Sequence, residues 1–409
     1  MKKIAIISFL ISVYSLSFSN EVLTLEKSIE ILKQKSYIVE GNKINQEKLE
    51  VKEQDLKYGK WNDGFNLDSS YDNNENMSFG INYNIIDYNL NLKDSEVKGQ
   101  SIGVSKNLKD FVYSQSQYDQ KRLDFEKIQF DISKEKEINV EIINLIELYK
   151  NIINLKDELK INELTRDKMK KEIETLENKY KLGKISSLEL EYSKIEYMKK
   201  ENEIANSIKN IDSKKQDLKN ILKMNNEIEL SENNIKLSDE MDFEKVGSFD
   251  IKIKTMNKEE KEEEIKYSNI QMKPEVNLNL GRDIENKETT FGINFSWNGI
   301  LKNKVQEKTD DLELEQIEMD TNELIKNNVL KIENYKKEYE NLKQDVEYKL
   351  AYKDYVKKEF EITQKRYDMG KMNYFDYNEK SLKNEEAILG YKKAVNELNS
   401  FVLEIGYRK

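Results

Sequence analysis

Tyr180-Lys181-Leu182-Gly183-Lys184 returns further along the chain as Tyr367-Asp368-Met369-Gly370-Lys371. A glycine just past an amphipathic run is where a helix stops, because it adopts the left-handed conformation that other residues avoid. Both copies are therefore expected to be turns at which a helix reverses. Upstream of each lies a second matched pair of segments, Ser101-Ile102-Gly103-Val104-Ser105 and Phe291-Gly292-Ile293-Asn294-Phe295, aligned on Gly103 and Gly292. Landmarks repeated in the same order predict an internal duplication. Each half reads as short helix, strands, very long helix, glycine turn and shorter helix, with residues 20–230 as the first repeat and 231–409 as the second.

The runs leading into the two turns carry heptad-like apolar spacing. The first has Ile138, Ile142, Leu145, Tyr149, Ile152 and Leu159, and the second Ile325, Val329, Ile332, Tyr339, Leu342 and Val346. At a rise of 1.5 Å per residue, helices over 110–181 and 300–368 would be about 108 and about 103 Å long. The helices expected at 24–58 and 187–223 reach about 52 and about 55 Å on the same rule, and those at 243–272 and 373–405 are similar. Two short helices end to end thus match one long helix, as in a helical wall of constant height.

Between the first short helix and the long one, residue types alternate with period two. Phe65, Leu67 and Tyr71 oppose Asn66, Asp68 and Asp72, and Ile102 and Val104 oppose Ser101, Gly103 and Ser105. In the second half Val276, Leu278 and Leu280 oppose Asn277 and Asn279, and Phe291, Ile293, Phe295 and Trp297 oppose Thr290, Gly292, Asn294 and Ser296. This suits a water-filled membrane barrel or one sheet of a soluble sandwich. Four strands can neither close a barrel nor hide their edges, so closure requires other copies, and three copies give twelve strands. Met77 to Leu92 also alternates, with a phase slip at Ile85-Ile86, and reads as an added hairpin or a long outer loop.

The chain begins with Lys2 and Lys3, an apolar run from Ile4 to Val13 and the small residues around Ser17-Phe18-Ser19, the order of an export signal over residues 1–19. No later segment approaches the ~20 apolar residues of a membrane helix, so entry into a membrane would be by strands. There is no cysteine, which excludes disulfides, thiolate metal sites and a lipid-modified cysteine anchor. With no histidine either, Ser-His-Asp triads, Cys-His pairs and histidine-ligated zinc are excluded, and no glycine-rich phosphate loop is present. Neither an enzyme nor a cofactor is expected. The formal net charge of −10, with 36% charged residues, disfavours nucleic acid as a partner.

The duplicated turn, strand pairs and helix lengths together resemble the TolC-like outer-membrane efflux proteins, over essentially Leu23 to Gly406. That resemblance implies a mainly α fold with a small β portion: a trimer with a long coiled-coil α-barrel and a transmembrane β-barrel, to which each protomer gives about four strands. It also implies an exit duct of a tripartite efflux pump or type I secretion system. Such a duct sits in the outer-membrane lipid, reaches into the periplasm, and meets a periplasmic adaptor (membrane fusion) protein and an inner-membrane transporter. In the family, acids six and nine residues past the second turn glycine ring the periplasmic aperture, and these are Asp376 and Glu379 here. By position Glu189 and Tyr367 match the residues that latch the aperture, with Gly183 and Gly370 at the turn tips. The family's arginine two residues past the second glycine is replaced by Met372, which puts the latch in question and leaves packing by Tyr374, Phe375 and Tyr377 to hold the closed state. The competing readings are a secreted coiled-coil stalk or adhesin, which explains the heptads but not the returning strands, and a single-chain porin, which would need more strands.

Overall fold

The computed structural model describes residues 22–62, 65–71, 77–85, 88–95, 99–231, 241–297 and 300–409, so the export signal read at 1–19 lies outside the described residues. The elements are α1 (Leu25–Lys35), α2 (Tyr37–Asn62), β1 (Phe65–Tyr71), β2 (Met77–Ile85), β3 (Tyr88–Ser95), β4 (Gly99–Asn107), α3 (Leu108–Val112), α4 (Gln115–Lys181), α5 (Ser187–Leu222), α6 (Ser248–Gln271), β5 (Glu275–Asp283), β6 (Thr289–Ser296), α7 (Ile300–Asp368) and α8 (Tyr374–Ile405). The order of elements in each half of the chain is as expected, and α7 spans the residues expected of it. Two helices are divided. The one expected at 24–58 breaks at Ser36, whose backbone is extended (φ −64°, ψ 158°), and the first long helix is preceded by α3, which ends at an extended Tyr113.

The sheet corrects the strand count. Among the described residues it has six strands, not four, in the sequential order β1-β2-β3-β4-β5-β6, each pair antiparallel. The stretch from Met77 is the added hairpin β2–β3, and its phase slip falls where β2 ends. Ile85 pairs with Tyr88 across a two-residue connection. Residues paired across a ladder share a face, so an odd-numbered apolar series (Phe79, Ile81, Tyr83) continues as an even-numbered one (Leu90, Leu92) without changing sides.

Register then sorts the sheet into two chemically distinct faces. Tyr83–Leu90–Val104–Leu280–Phe291 is one cross-strand row, and Ile81–Leu92–Ile102 runs beside it, continuing to Arg282 and Thr289 near the strand ends. Leu67, Phe79, Leu92, Ile102, Leu280, Phe291, Ile293 and Phe295 all lie on this face, and all are exposed. The opposite face carries the rows Asn89–Ser105–Asn279–Gly292 and Asp68–Gly80–Lys93–Ser101–Asp283. Where strands meet helices, Trp297 and Phe111 are exposed and the Lys106 ammonium lies 4.4 Å above the Phe111 ring. Aromatic residues at the edge of an apolar band are typical of a membrane interface.

The chain forms two compact units, each drawing on both halves of the sequence. One comprises the chain up to Ser36, Asn144–Lys236 and Asp345–Ser400; the other comprises Tyr37–Ile143, Leu237–Gln344 and Phe401–Lys409. In the first, Leu23 bridges to Leu230 in parallel, and the buried Tyr149 hydroxyl lies 3.0 Å from the Leu23 carbonyl and 3.3 Å from that of Ser231. In the second, Val246, Phe401 and Ile405 form a core with Tyr335 and Tyr339 of α7, and the Asn328 amide donates to the Val246 carbonyl at 2.7 Å. The sheet is tied to its helices by Lys109, whose buried ammonium donates to the Gln271 carbonyl at 2.6 Å. A tyrosine cluster adds to that junction: Tyr118 stacks on Tyr267 at 4.4 Å and Tyr113 meets Tyr267 edge-on.

Candidate functional site

The residues expected at an aperture all belong to the first unit, at the α4–α5 and α7–α8 turns. The two turns are built alike. At the first, the Lys184 amide donates to the Lys179 carbonyl (2.9 Å) and the Gly183 amide to Tyr180 (2.8 Å), with Gly183 at φ +65°. At the second, Lys371 donates to Arg366 (2.8 Å) and Gly370 to Tyr367 (2.8 Å), with Gly370 at φ +68°. Each is the paired hydrogen-bond closure that satisfies the last carbonyls of a helix and needs a left-handed residue to complete it. A Cβ at either glycine would meet nothing within 4 Å, so backbone conformation, rather than space, selects glycine here.

The helices that leave the turns are capped in register. Ser186 Oγ accepts from the Glu189 amide at 3.2 Å, and Asn373 Oδ1 accepts from the Asp376 amide at 2.9 Å. At the second turn the bond is reciprocated, since Asn373 Nδ2 donates to Asp376 Oδ2 at 2.7 Å. Glu189 and Asp376 therefore occupy the third helical position, the acidic member of a capping box, where carboxylates favour the positive helix end. Ser186-x-x-Glu189 and Asn373-x-x-Asp376 were visible signals for this role that a reading by distance from the glycine passes over.

Asp376 and Glu379 lie three residues apart on α8, on the same side of the helix, and both are exposed. Among the described residues neither is in an ion pair. The nearby cations of α8 are turned elsewhere: Lys380 and Lys383 donate to Glu359 of α7 at 2.7 and 3.1 Å and hold its carboxyl below the usual range. Two negative charges are thus left outward-facing at the second turn. The first turn presents Glu189 at the equivalent place, and three residues further on an exposed Tyr192.

Tyr367 stacks on Tyr377 at 4.4 Å and meets Tyr374 edge-on at 6.5 Å, and Phe360 lies 5.6 Å from Tyr377. The Lys171 ammonium of α4 donates to the Tyr374 hydroxyl at 2.6 Å, joining the second turn to the first long helix. Tyr367 is thereby held in the aromatic packing of its own turn, and among the described residues it has no hydrogen bond to Glu189. Met372 is half-buried in the loop between Gly370 and Asn373. At the first turn the corresponding tie is an ion pair, Lys194 to Glu177 at 2.6 Å.

Among the described residues no group of acids could hold a metal ion, and no helix is long and apolar enough to cross a membrane. No family model matches the sequence, and no curated protein does. Solved structures do. CusC, whose crystal structures concern folding and transmembrane channel formation, matches over 93% of this chain and 90% of its own, with a TM-score of 0.64 at 11% identity. The CmeC outer membrane channel of Campylobacter jejuni matches over 94% and 85% (TM-score 0.63, 12% identity). The outer membrane protein VceC of Vibrio cholerae matches over 94% of both chains (TM-score 0.63, 13% identity). The chain has the fold that these TolC-like channels share, along nearly its whole described length.

Proposed function

We propose that the protein is one protomer of an outer-membrane exit channel. A homotrimer would place its strands in the outer-membrane lipid and its helices in the periplasm, conducting material delivered by a periplasmic adaptor protein and an inner-membrane transporter. The observation that carries this reading is the two-faced sheet. Apolar side chains stand exposed on one side of every strand, with Asp94, Gln100, Arg282 and Lys106 confined to the strand ends of that face, while asparagine, serine, glycine and further charges occupy the other. Strands of 7 to 9 residues are close to the roughly 9–11 that cross a bilayer when tilted. In water that face would be an aggregation hazard, whereas in lipid it is the stable surface.

The helices support assembly from several copies. On α7, Val305, Leu312 and Met319 recur every seventh residue, as do Tyr348, Tyr355 and Ile362, and all are exposed in the single chain. A heptad-spaced apolar seam is what another helix covers by knobs-into-holes packing. The matched turns, caps and strand pairs fit an ancestral duplication of one half, with 20–230 and 231–409 as the two repeats. A secreted stalk would use the seam but has no use for the sheet.

At the periplasmic end we assign Asp376 and Glu379 to the aperture, where three copies would bring six carboxylates around one axis and favour cations over anions. With Tyr367 engaged by Tyr374 and Tyr377, closure rests on aromatic packing at the second turn, and Glu189 serves as the cap acid of the first. Extraction of native membranes tests the whole reading: the protein should fractionate with the outer membrane and leave it, in mild detergent, with the mass of three chains. Recovery as a soluble monomer from the periplasmic fraction would refute it.

A further inference from the structure

The sheet has two ends. Among the described residues β1 pairs only with β2, and β6 only with β5. In hydrocarbon an open strand edge leaves backbone amides and carbonyls without partners, so a lipid-facing sheet has to close. Six strands are fewer than the eight of the smallest membrane barrels, so one chain cannot close on itself. As first and last of an even number of alternating strands, β1 and β6 run antiparallel. The β6 of one copy can therefore continue the ladder at the β1 of another in the same sense as every pair within the chain, with apolar faces flush.

We infer that β1 of one copy pairs with β6 of the next, and that three six-stranded sheets close a single eighteen-stranded barrel. This rests on the trimeric channel proposed above and adds the composition of its wall. The hairpin β2–β3 is the widening device. It stands between β1 and β4, so β1 reaches the rest of the sheet only through it. Its ladders are continuous on both sides, and their register keeps Phe79, Ile81 and Leu92 on the lipid face. At ~4.8 Å between strands and a tilt of ~40°, eighteen strands give a backbone diameter of about 36 Å, against about 24 Å for twelve.

The absence of cysteine makes the junction directly testable. Leu67→Cys in β1 is combined in turn with Phe291→Cys, Ile293→Cys and Phe295→Cys in β6, three partners covering the register between copies. All four positions are on the lipid face. After oxidation in outer membranes, at least one combination should give cross-linked dimers and trimers on a non-reducing denaturing gel, while Leu67→Cys with Ile102→Cys in β4 should give none. Electron microscopy of the solubilised protein should show a barrel of about 36 Å, narrowing to about 24 Å when residues 77–95 are deleted, because that deletion brings the antiparallel β1 and β4 together. Cross-linking of Leu67→Cys to Ile102→Cys, or a native trimer with a barrel of the narrower size, overturns the inference and leaves the channel reading intact. A barrel closed by two copies overturns both.

Discussion

The two long helices are nearly equal in length, 67 residues for α4 and 69 for α7, and each ends at the same kind of glycine turn, yet they live in different surroundings. α4 buries Leu123, Ile142, Leu145, Ile146, Tyr149, Ile152 and Ile153 almost completely. The apolar positions of α7 are mostly exposed, Val305 at 68% and Tyr355 at 63%, and Val356 is its one fully buried large apolar side chain among the described residues. Similar heptads thus do two jobs. Those of α4 form the interior of one chain, and those of α7, with Leu188, Tyr192 and Ile195 of α5, stay exposed in the single chain as the surface that the proposed trimer would cover.

The sharpest way to break this contrast is to truncate one residue on each helix. Leu145→Ala should destabilise the chain by about 2–5 kcal/mol, since it empties a fully buried site. Tyr355→Ala should shift chain stability by no more than about 0.5 kcal/mol, as exposed positions do, while releasing monomers from the detergent-solubilised oligomer. Thermal unfolding and light-scattering mass on both variants decide it. Equal effects on both readouts would erase the distinction.

The turns at the ends of these helices extend the comparison. Asp376→Asn with Glu379→Gln should weaken block of the channel by multivalent cations about tenfold, equivalent to ~1.4 kcal/mol. Glu189→Gln, at the equivalent cap position of the first turn, should leave block unchanged in planar bilayers. Glycine replacement probes what the turns share. Gly183→Ala and Gly370→Ala should cost about 1–2 kcal/mol each and nearly the same, because both sit in left-handed backbone with open space around them. Calorimetry showing a large difference would point to packing rather than conformation.

The smallest effect concerns acid. The lysines beside Glu359 (Lys380 and Lys383) and Glu177 (Lys194) depress both carboxyls below the ordinary 4.5 in the folded state. Each contributes stability that is complete above that value and is lost as pH falls through the lowered one. The melting temperature should decline on acidification, and Glu359→Gln, which removes two partners, should flatten the decline more than Glu177→Gln.

How much of this was legible follows from what each signal encodes. The end of α7 could be read because Gly370 follows an amphipathic run, as a helix-stopping glycine does. The phase slip at Ile85-Ile86 marked the end of a strand, but a parity change accompanies both an added hairpin and a looser loop, and only the pairing of Ile85 with Tyr88 separates them. The break at Ser36 carries no glycine or proline to announce it. Leu145 and Val329 look alike in sequence, since periodicity states which residues share a face and not what covers it. Asp376 was found by its distance from Gly370, while its bond with Asn373 came from the structure.

The most direct test is electrical. Full-length protein purified from outer membranes in detergent and added to a planar lipid bilayer should produce discrete, uniform conductance steps, each marking insertion of one assembled pore. A protein of the same purity and oligomeric mass that leaves the bilayer electrically silent, with its sheet still folded, would contradict the account at its root.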